Sequence, residues 1–201
     1  MGAALPAAAM IIWLASAPLP CAASEDIATI TPRYVAHVTQ NPPSVDRVRH
    51  DMKALRSDGS WPDIDYKNRS RSPWKPVGHV RRIEKMAKAW GARGHALAGD
   101  PHLSAAITRA LSHWLEKDLT CPNWWYNKIG APKPVANILV IMGDAIPRDV
   151  VKRALSTCLK RAQIGMTGQN RMWLAGIVFV RSLVEVHHVR DENPPYIAEP
   201  V

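Results

Sequence analysis

A chain of 201 residues with a formal charge of +9 is long enough for one domain with a sizeable core and is distinctly basic. Such a surface attracts nucleic acid, anionic lipid or an acidic polysaccharide. The cations are dispersed, as in Arg69-Ser70-Arg71 and Arg81-Arg82, which excludes a basic tail, and each pair taken alone reads as a solvated face.

The first 24 residues carry no Lys, Arg, Asp or Glu and are apolar from 10 to 15, ending in Ala22-Ala23-Ser24 just before Glu25. This pattern predicts a secretory signal peptide over 1–24, cleaved near Ser24. Leu19-Pro20-Cys21 faintly suggests a lipoprotein site, but the proline before the cysteine fits poorly. The apolar run is too short, and too broken by Pro6, Pro18 and Pro20, for a spanning helix. A secreted or periplasmic protein is expected, with no nucleic-acid partner and no membrane partner after cleavage. Cys121 and Cys158 then remain, as one disulfide or as buried thiols; their spacing suggests neither zinc nor a redox motif. No metal or cofactor is expected.

Along the rest of the chain the apolar positions recur at helical spacing. Tyr34, Val35, Val38, then Val45, Val48, Met52 and Leu55 fit two short helices parted by Pro42-Pro43. Residues 57–77 hold turn formers with Trp61, Tyr66 and Trp74 and read as an ordered loop, not a linker. Val80, Ile83, Ala87 and Trp90 mark the next helix. Asp100 is a natural N-cap with Pro101 at the first helical position, followed in register by Leu103, Ala106, Ile107, Ala110, Leu111, Trp114 and Leu115. Pro132 and Pro134 open a helix with Val135, Ile138, Leu139 and Met142 on one face. Pro147 opens another, striped by Val151, Ala154, Leu155 and Cys158. After a loop over 165–171, a strongly apolar helix runs through Leu174, Ile177, Val178, Val180, Leu183 and Val184. No segment shows strand alternation. The fold class is all-α, built from antiparallel helix pairs stacked into a bundle or α/α toroid.

The stretch Asn123-Trp124-Trp125-Tyr126-Asn127-Lys128-Ile129-Gly130 stands apart. Three adjacent rings must point in several directions, so at least one faces a cleft, and amides beside aromatic faces suit a sugar ring. The alternative is an aromatic hinge between two helices. Hydrolysis of a polysaccharide calls for two opposed carboxyl groups, and Asp58, Asp63 and Asp65 cluster in one loop, where turn and capping chemistry accounts for them. β-Elimination from a uronic acid instead needs a base at C5, an acid at the leaving oxygen, and donors that neutralise the carboxylate. Asn170-Arg171 supplies an amide and a guanidinium together; the alternative is that Thr167 and Asn170 cap the last helix.

Asn123-Trp124-Trp125 leading into Ile129-Gly130-Ala131-Pro132, with Thr167-Gly168-Gln169-Asn170-Arg171 further on, resembles the N-terminal α/α-toroid domain of polysaccharide lyase family 8, the hyaluronate, chondroitin and xanthan lyases. The loop from Asp58-Gly59-Ser60-Trp61 to Asp65-Tyr66 is similar as well. The resemblance implies that Trp124 and Trp125 stack sugar rings with Asn123 beside them, that Asn170 is the catalytic residue neutralising the substrate carboxylate across the cleft, and that Arg171 contacts substrate. It implies a monomer acting on an acidic polysaccharide. Tyr126-Asn127-Lys128 stands where many relatives have acidic residues, making this wall more basic. The family's histidine and tyrosine lie downstream of the asparagine motif; His187 and His188 are too close behind Asn170 to be that histidine. The expected chain is therefore an incomplete toroid, the N-terminal portion of a secreted lyase, inactive alone. A non-catalytic carbohydrate-binding module is the alternative, and a scaffold whose aromatics are all core is the third reading.

Overall fold

The structure, a computed structural model, describes residues 22–189. Most of the expected signal peptide lies outside the described residues. Among the described residues there is no strand, in line with the all-α expectation, and no helix is long and apolar enough to cross a membrane. Among these residues seven α-helices follow one another: α1 (Ala22–Val38), α2 (Val45–Ala54), α3 (Val77–Gly91), α4 (Pro101–Lys117), α5 (Pro132–Met142), α6 (Arg148–Ser156) and α7 (Gly168–Val189).

The core is arranged about α5. Its apolar residues are buried on every side, from Val135 through Met142, not on one face as the spacing suggested. A helix apolar all round must be enclosed, and α3, α7 and α1 pack against it. Helix α4 lies against α3 and α6, and α2 lies against α3. The predicted start of α4 is as expected: the Asp100 carboxylate accepts from the Leu103 N–H at 2.7 Å, satisfying one of the orphan donors of the first turn. Every apolar position predicted on α4 is buried.

Two boundaries differ from expectation. Helix α6 ends at Ser156, where the Arg153 carbonyl accepts both the Thr157 N–H at 3.0 Å and its hydroxyl at 2.7 Å. Cys158 therefore lies beyond the helix, before a 3₁₀ turn over Leu159–Arg161. Both cysteines are free and buried. Burial pushes the Cys158 thiol up to about 12, so it behaves as an inert core residue. Helix α7 begins at Gly168, so Asn170 and Arg171 sit in its first turn and not in a loop.

The loop between α2 and α3 is ordered by its aromatics, as expected. Trp61 and Trp74 are fully buried. The Trp61 indole N–H donates to the Asp51 carbonyl at 2.9 Å, and the Arg82 guanidinium lies 5.0 Å from its ring centroid. The three aspartates perform structural work. Asp58 accepts from the N–H and hydroxyl of Ser60 at 2.9 and 2.7 Å, Asp65 accepts from the Lys67 N–H, and Asp63 forms a two-pronged pair with Arg82. That pair holds the Asp63 carboxyl below its ordinary range.

One histidine fastens this loop to the core. His79 Nε2 lies 2.8 Å from the Ala110 carbonyl, which can only accept, so Nε2 carries the proton. Nδ1 is then an acceptor, and the Tyr66 hydroxyl donates to it at 2.8 Å while accepting from the Trp61 N–H at 3.0 Å. Gly59 makes the neighbouring close approach. Its φ is +84°, and a Cβ there would lie 2.5 Å from the Arg109 carbonyl oxygen and 2.9 Å from His113 Cβ. Gly59→Ala is expected to cost roughly 2 kcal/mol or more from backbone strain and overlap together. Urea unfolding would read it, and a midpoint unchanged from the native chain would contradict this account.

Candidate functional site

Trp124 and Trp125 begin a helical turn that widens into a π-helical segment over Tyr126–Gly130, closed by the Ala131 N–H donating to the Tyr126 carbonyl at 2.9 Å. Such π turns recur at functional sites. The Asn123 carboxamide starts the turn by accepting from the Trp125 N–H at 3.1 Å and donating to the Arg71 carbonyl at 3.3 Å. Asn127 then clamps Cys121, accepting from its N–H and donating to its carbonyl, both at 2.8 Å.

The three rings diverge, as their adjacency required. Trp124 is 40% exposed. Tyr126 is buried against Trp74, centroids 5.6 Å apart. Trp125 is half-buried and lines a cleft. Gly130 sets the position of that ring, because a Cβ there would fall 2.7 Å from Trp125 Cζ3.

The cleft has a volume of about 780 Å³. Helix α1 contributes Tyr34 and His37, α3 contributes Arg81, Glu84 and Lys88, and α5 contributes Lys133 and Asn137. Each set lies at i, i+3, i+4 or i+7, the spacing that gathers side chains on one helix face. Trp125 stands edge-on to Trp173 of α7 with centroids 6.0 Å apart, and both rings border the cleft. Across its surface runs a hydrogen-bonded row. The Tyr34 hydroxyl donates to Asn137 Oδ1 at 2.8 Å, Asn137 Nδ2 donates to Glu84 Oε1 at 2.6 Å, and Lys88 Nζ lies 3.8 Å from the same oxygen. Burial, and then the Glu84 charge, push the Tyr34 phenol above its ordinary value, so it stays a donor. Arg81 and Lys133 form no ion pair among the described residues and leave the cleft net positive. A groove with two indole walls, amide and phenol donors and unpaired cations suits a flat, hydroxylated, anionic ligand.

Of the five residues singled out from sequence, Trp125 borders this cleft. Asn123 supports it through the turn, and Trp124 is exposed beside it. Asn170 is half-buried in the first turn of α7, one helical turn before Trp173, and Arg171 is exposed; neither lines the cleft. Trp173, Tyr34, Asn137 and Glu84 were not anticipated as site residues. Asn137 carried a signal, since an amide inside an otherwise apolar helix is buried only if it has partners. Trp173 could have been found three residues after Asn170.

Comparison with known proteins places this architecture. The family model described as the N-terminal alpha-helical domain of polysaccharide lyase family 8 matches residues 35–190. Chondroitinase-AC of Pedobacter heparinus is 28% identical over 145 residues, 70% of this chain and 21% of that protein. Xanthan lyase of a Bacillus species is 27% identical over 154 residues, 68% of this chain and 16% of that one. Among solved structures, a chondroitinase AC lyase studied as oligosaccharide complexes superposes with a TM-score of 0.68 at 22% identity, over 81% of this chain and 25% of that one. Paenibacillus xanthan lyase gives 0.61 at 17% identity, over 83% and 18%. These structures share the helical toroid-like fold. The chain spans about a fifth of the length of the curated relatives it matches.

Proposed function

The chain belongs to polysaccharide lyase family 8, and from that membership we propose that it is the N-terminal portion of an exported lyase that cleaves uronate-containing acidic polysaccharides by β-elimination. The observation that carries the proposal is the cleft walled by Trp125 and Trp173 with Arg81, Lys88 and Lys133 around it. Indole faces meet the apolar C–H faces of sugar rings, and the cations offset the uronate charges. Related proteins are named for chondroitin, xanthan and hyaluronate, which fits a polymer of this class as the ligand.

In this reading Asn170 donates to the uronate carboxylate, and the bond strengthens as enolate charge develops. Trp124 and Arg171 contact the polymer beyond the cleft. The groups that move protons belong to a part of the enzyme outside these 201 residues. Tyr34, the phenol within the cleft, is engaged with Asn137, and in this reading the chain binds without turning over. It acts as a monomer in the periplasm or outside the cell. Incubation with hyaluronan, chondroitin sulfate or xanthan is expected to give saturable binding and no rise in unsaturated-product absorbance. Robust turnover would refute the division of labour.

A second reading, a non-catalytic carbohydrate-binding module, is favoured by one observation: Asn170 is not among the residues lining the cleft. The two readings separate on one variant. Under the lyase reading Asn170→Ala weakens binding of a uronate polymer about tenfold, the scale of a hydrogen bond to a charged group, and leaves binding of a neutral polysaccharide unchanged. Titration calorimetry on both polymers measures this, and an unaltered affinity for the uronate polymer would favour the module.

A further inference from the structure

A second cluster of polar side chains lies at the C-terminal ends of two helices and shares no residue with the cleft. Helix α5 ends at Met142, and the 3₁₀ turn Gly143–Ala145 that follows carries Asp144. The turn packs against α7, whose last turn carries His187 and His188. His187 Nε2 lies 3.0 Å from Asp144 Oδ1. The two imidazole rings stand edge to face, centroids 4.7 Å apart. One ligand atom from each of the three residues falls within 4.8 Å of the others.

We propose that Asp144, His187 and His188 form a binding site for a divalent transition-metal ion, with Zn²⁺ the best match. Two imidazole nitrogens and one carboxylate oxygen are a borderline donor set that suits zinc, cobalt or nickel, whereas calcium and magnesium take oxygen ligands. Bonds of about 2.0–2.2 Å require the side chains to draw in by roughly an ångström, which torsions of exposed residues allow. Asp144 and His187 have side chains 85% and 47% exposed, giving the ion a path from solvent, while His188 is buried and supplies a fixed ligand. Three protein ligands leave a fourth position for water or a ligand group. A bound ion would join the turn after α5 to the end of α7, fastening the helix that carries Trp173 to the centre of the fold. The separation of 43 positions between Asp144 and His187 hides the site from any reading of motif spacing.

The whole chain, freed of metal with a chelator, is titrated with Zn²⁺ by calorimetry and with Co²⁺ by visible absorption. One Zn²⁺ per chain and an intense tetrahedral-type Co²⁺ band are expected. Asp144→Ala and His187→Ala should each weaken Zn²⁺ binding at least tenfold and abolish the Co²⁺ band, while His102→Ala, on an exposed position of α4, leaves both unchanged. Circular dichroism on the same samples establishes that the variants are folded, as the exposure of both side chains leads us to expect. Absence of binding at tenfold excess Zn²⁺, or binding equal in the native chain and both variants, would overturn the proposal.

Discussion

Replacing Trp125 by alanine is expected to weaken binding of hyaluronan or chondroitin sulfate tenfold or more, about 1.4 kcal/mol at the least. Trp125 is the only residue of the Asn-Trp-Trp stretch that both borders the cleft and packs on a second cleft ring, Trp173 at 6.0 Å. Its removal takes away one wall and leaves the other without its edge contact. The outcome should be graded. Trp125→Phe keeps a flat face and retains part of the affinity, Trp173→Ala approaches the Trp125→Ala loss, and Trp124→Ala has a smaller effect because that ring stands outside the lining. Binding should also fall as salt rises, since Arg81 and Lys133 act through charges near solvent. Affinity electrophoresis or calorimetry on folded variants reads all of these. If Trp125→Ala bound as tightly as the native chain, the cleft would not be the polysaccharide site.

The second large effect is on stability, and acid produces it. His79 is buried between Tyr66 and the Ala110 carbonyl. Burial, opposed only in part by the hydrogen bond to Ala110, pushes its pKa down to about 3. In the unfolded chain the same imidazole takes up a proton near 6.5. Between these values the unfolded state binds the extra proton, so stability from this residue is complete above about 6.5 and is lost as pH falls toward 3. The slope is about 1.4 kcal/mol per pH unit while only this group titrates differentially. Protonation would also put a hydrogen on Nδ1, where the Tyr66 hydroxyl now donates, and break the link from α3 to the loop. Urea unfolding from pH 7 to pH 4 measures the slope. In His79→Gln the amide can keep a donor and an acceptor but cannot titrate, so the chain should be less stable at neutral pH and distinctly flatter in acid. Equal slopes for the two proteins over pH 4.5–6.5 would eliminate His79 as the origin.

Much of the fold was legible because helices announce themselves locally. The Asp100-Pro101 start and the apolar register of α4 follow from capping chemistry and a 3.6-residue period, and the structure has both. The loop over 57–77 was legible as ordered because three large aromatics cannot be left in water cheaply, and two of them are fully buried. The π turn was not legible. Nothing in Tyr126-Asn127-Lys128-Ile129-Gly130 forbids an α-helix, and the wider turn is set by Asn127 reaching back to Cys121 and by Trp125 lying over Gly130. The cleft was half legible. The Asn-Trp-Trp stretch stood out by composition, whereas Tyr34, Glu84 and Asn137 meet across 103 and 53 residues, a pairing that no local pattern encodes. Trp173 was concealed by its surroundings, since an indole within an apolar helix reads as core until a second ring is found beside it.

The π turn has a consequence for how this site can change. An α-helix advances about 100° per residue, so the five-residue segment Tyr126–Gly130 works as a spacer whose length sets where the preceding rings aim. Deleting any one residue from it, whatever its chemistry, would tighten the turn and swing Trp125 by about that angle relative to α5, off the cleft and away from Trp173. Substitutions that spare Asn127 and Gly130 can be absorbed one at a time, but a change of length cannot. The orientation of the aromatic wall is thus stored in a residue count, a property that a frame-preserving indel alters in one step.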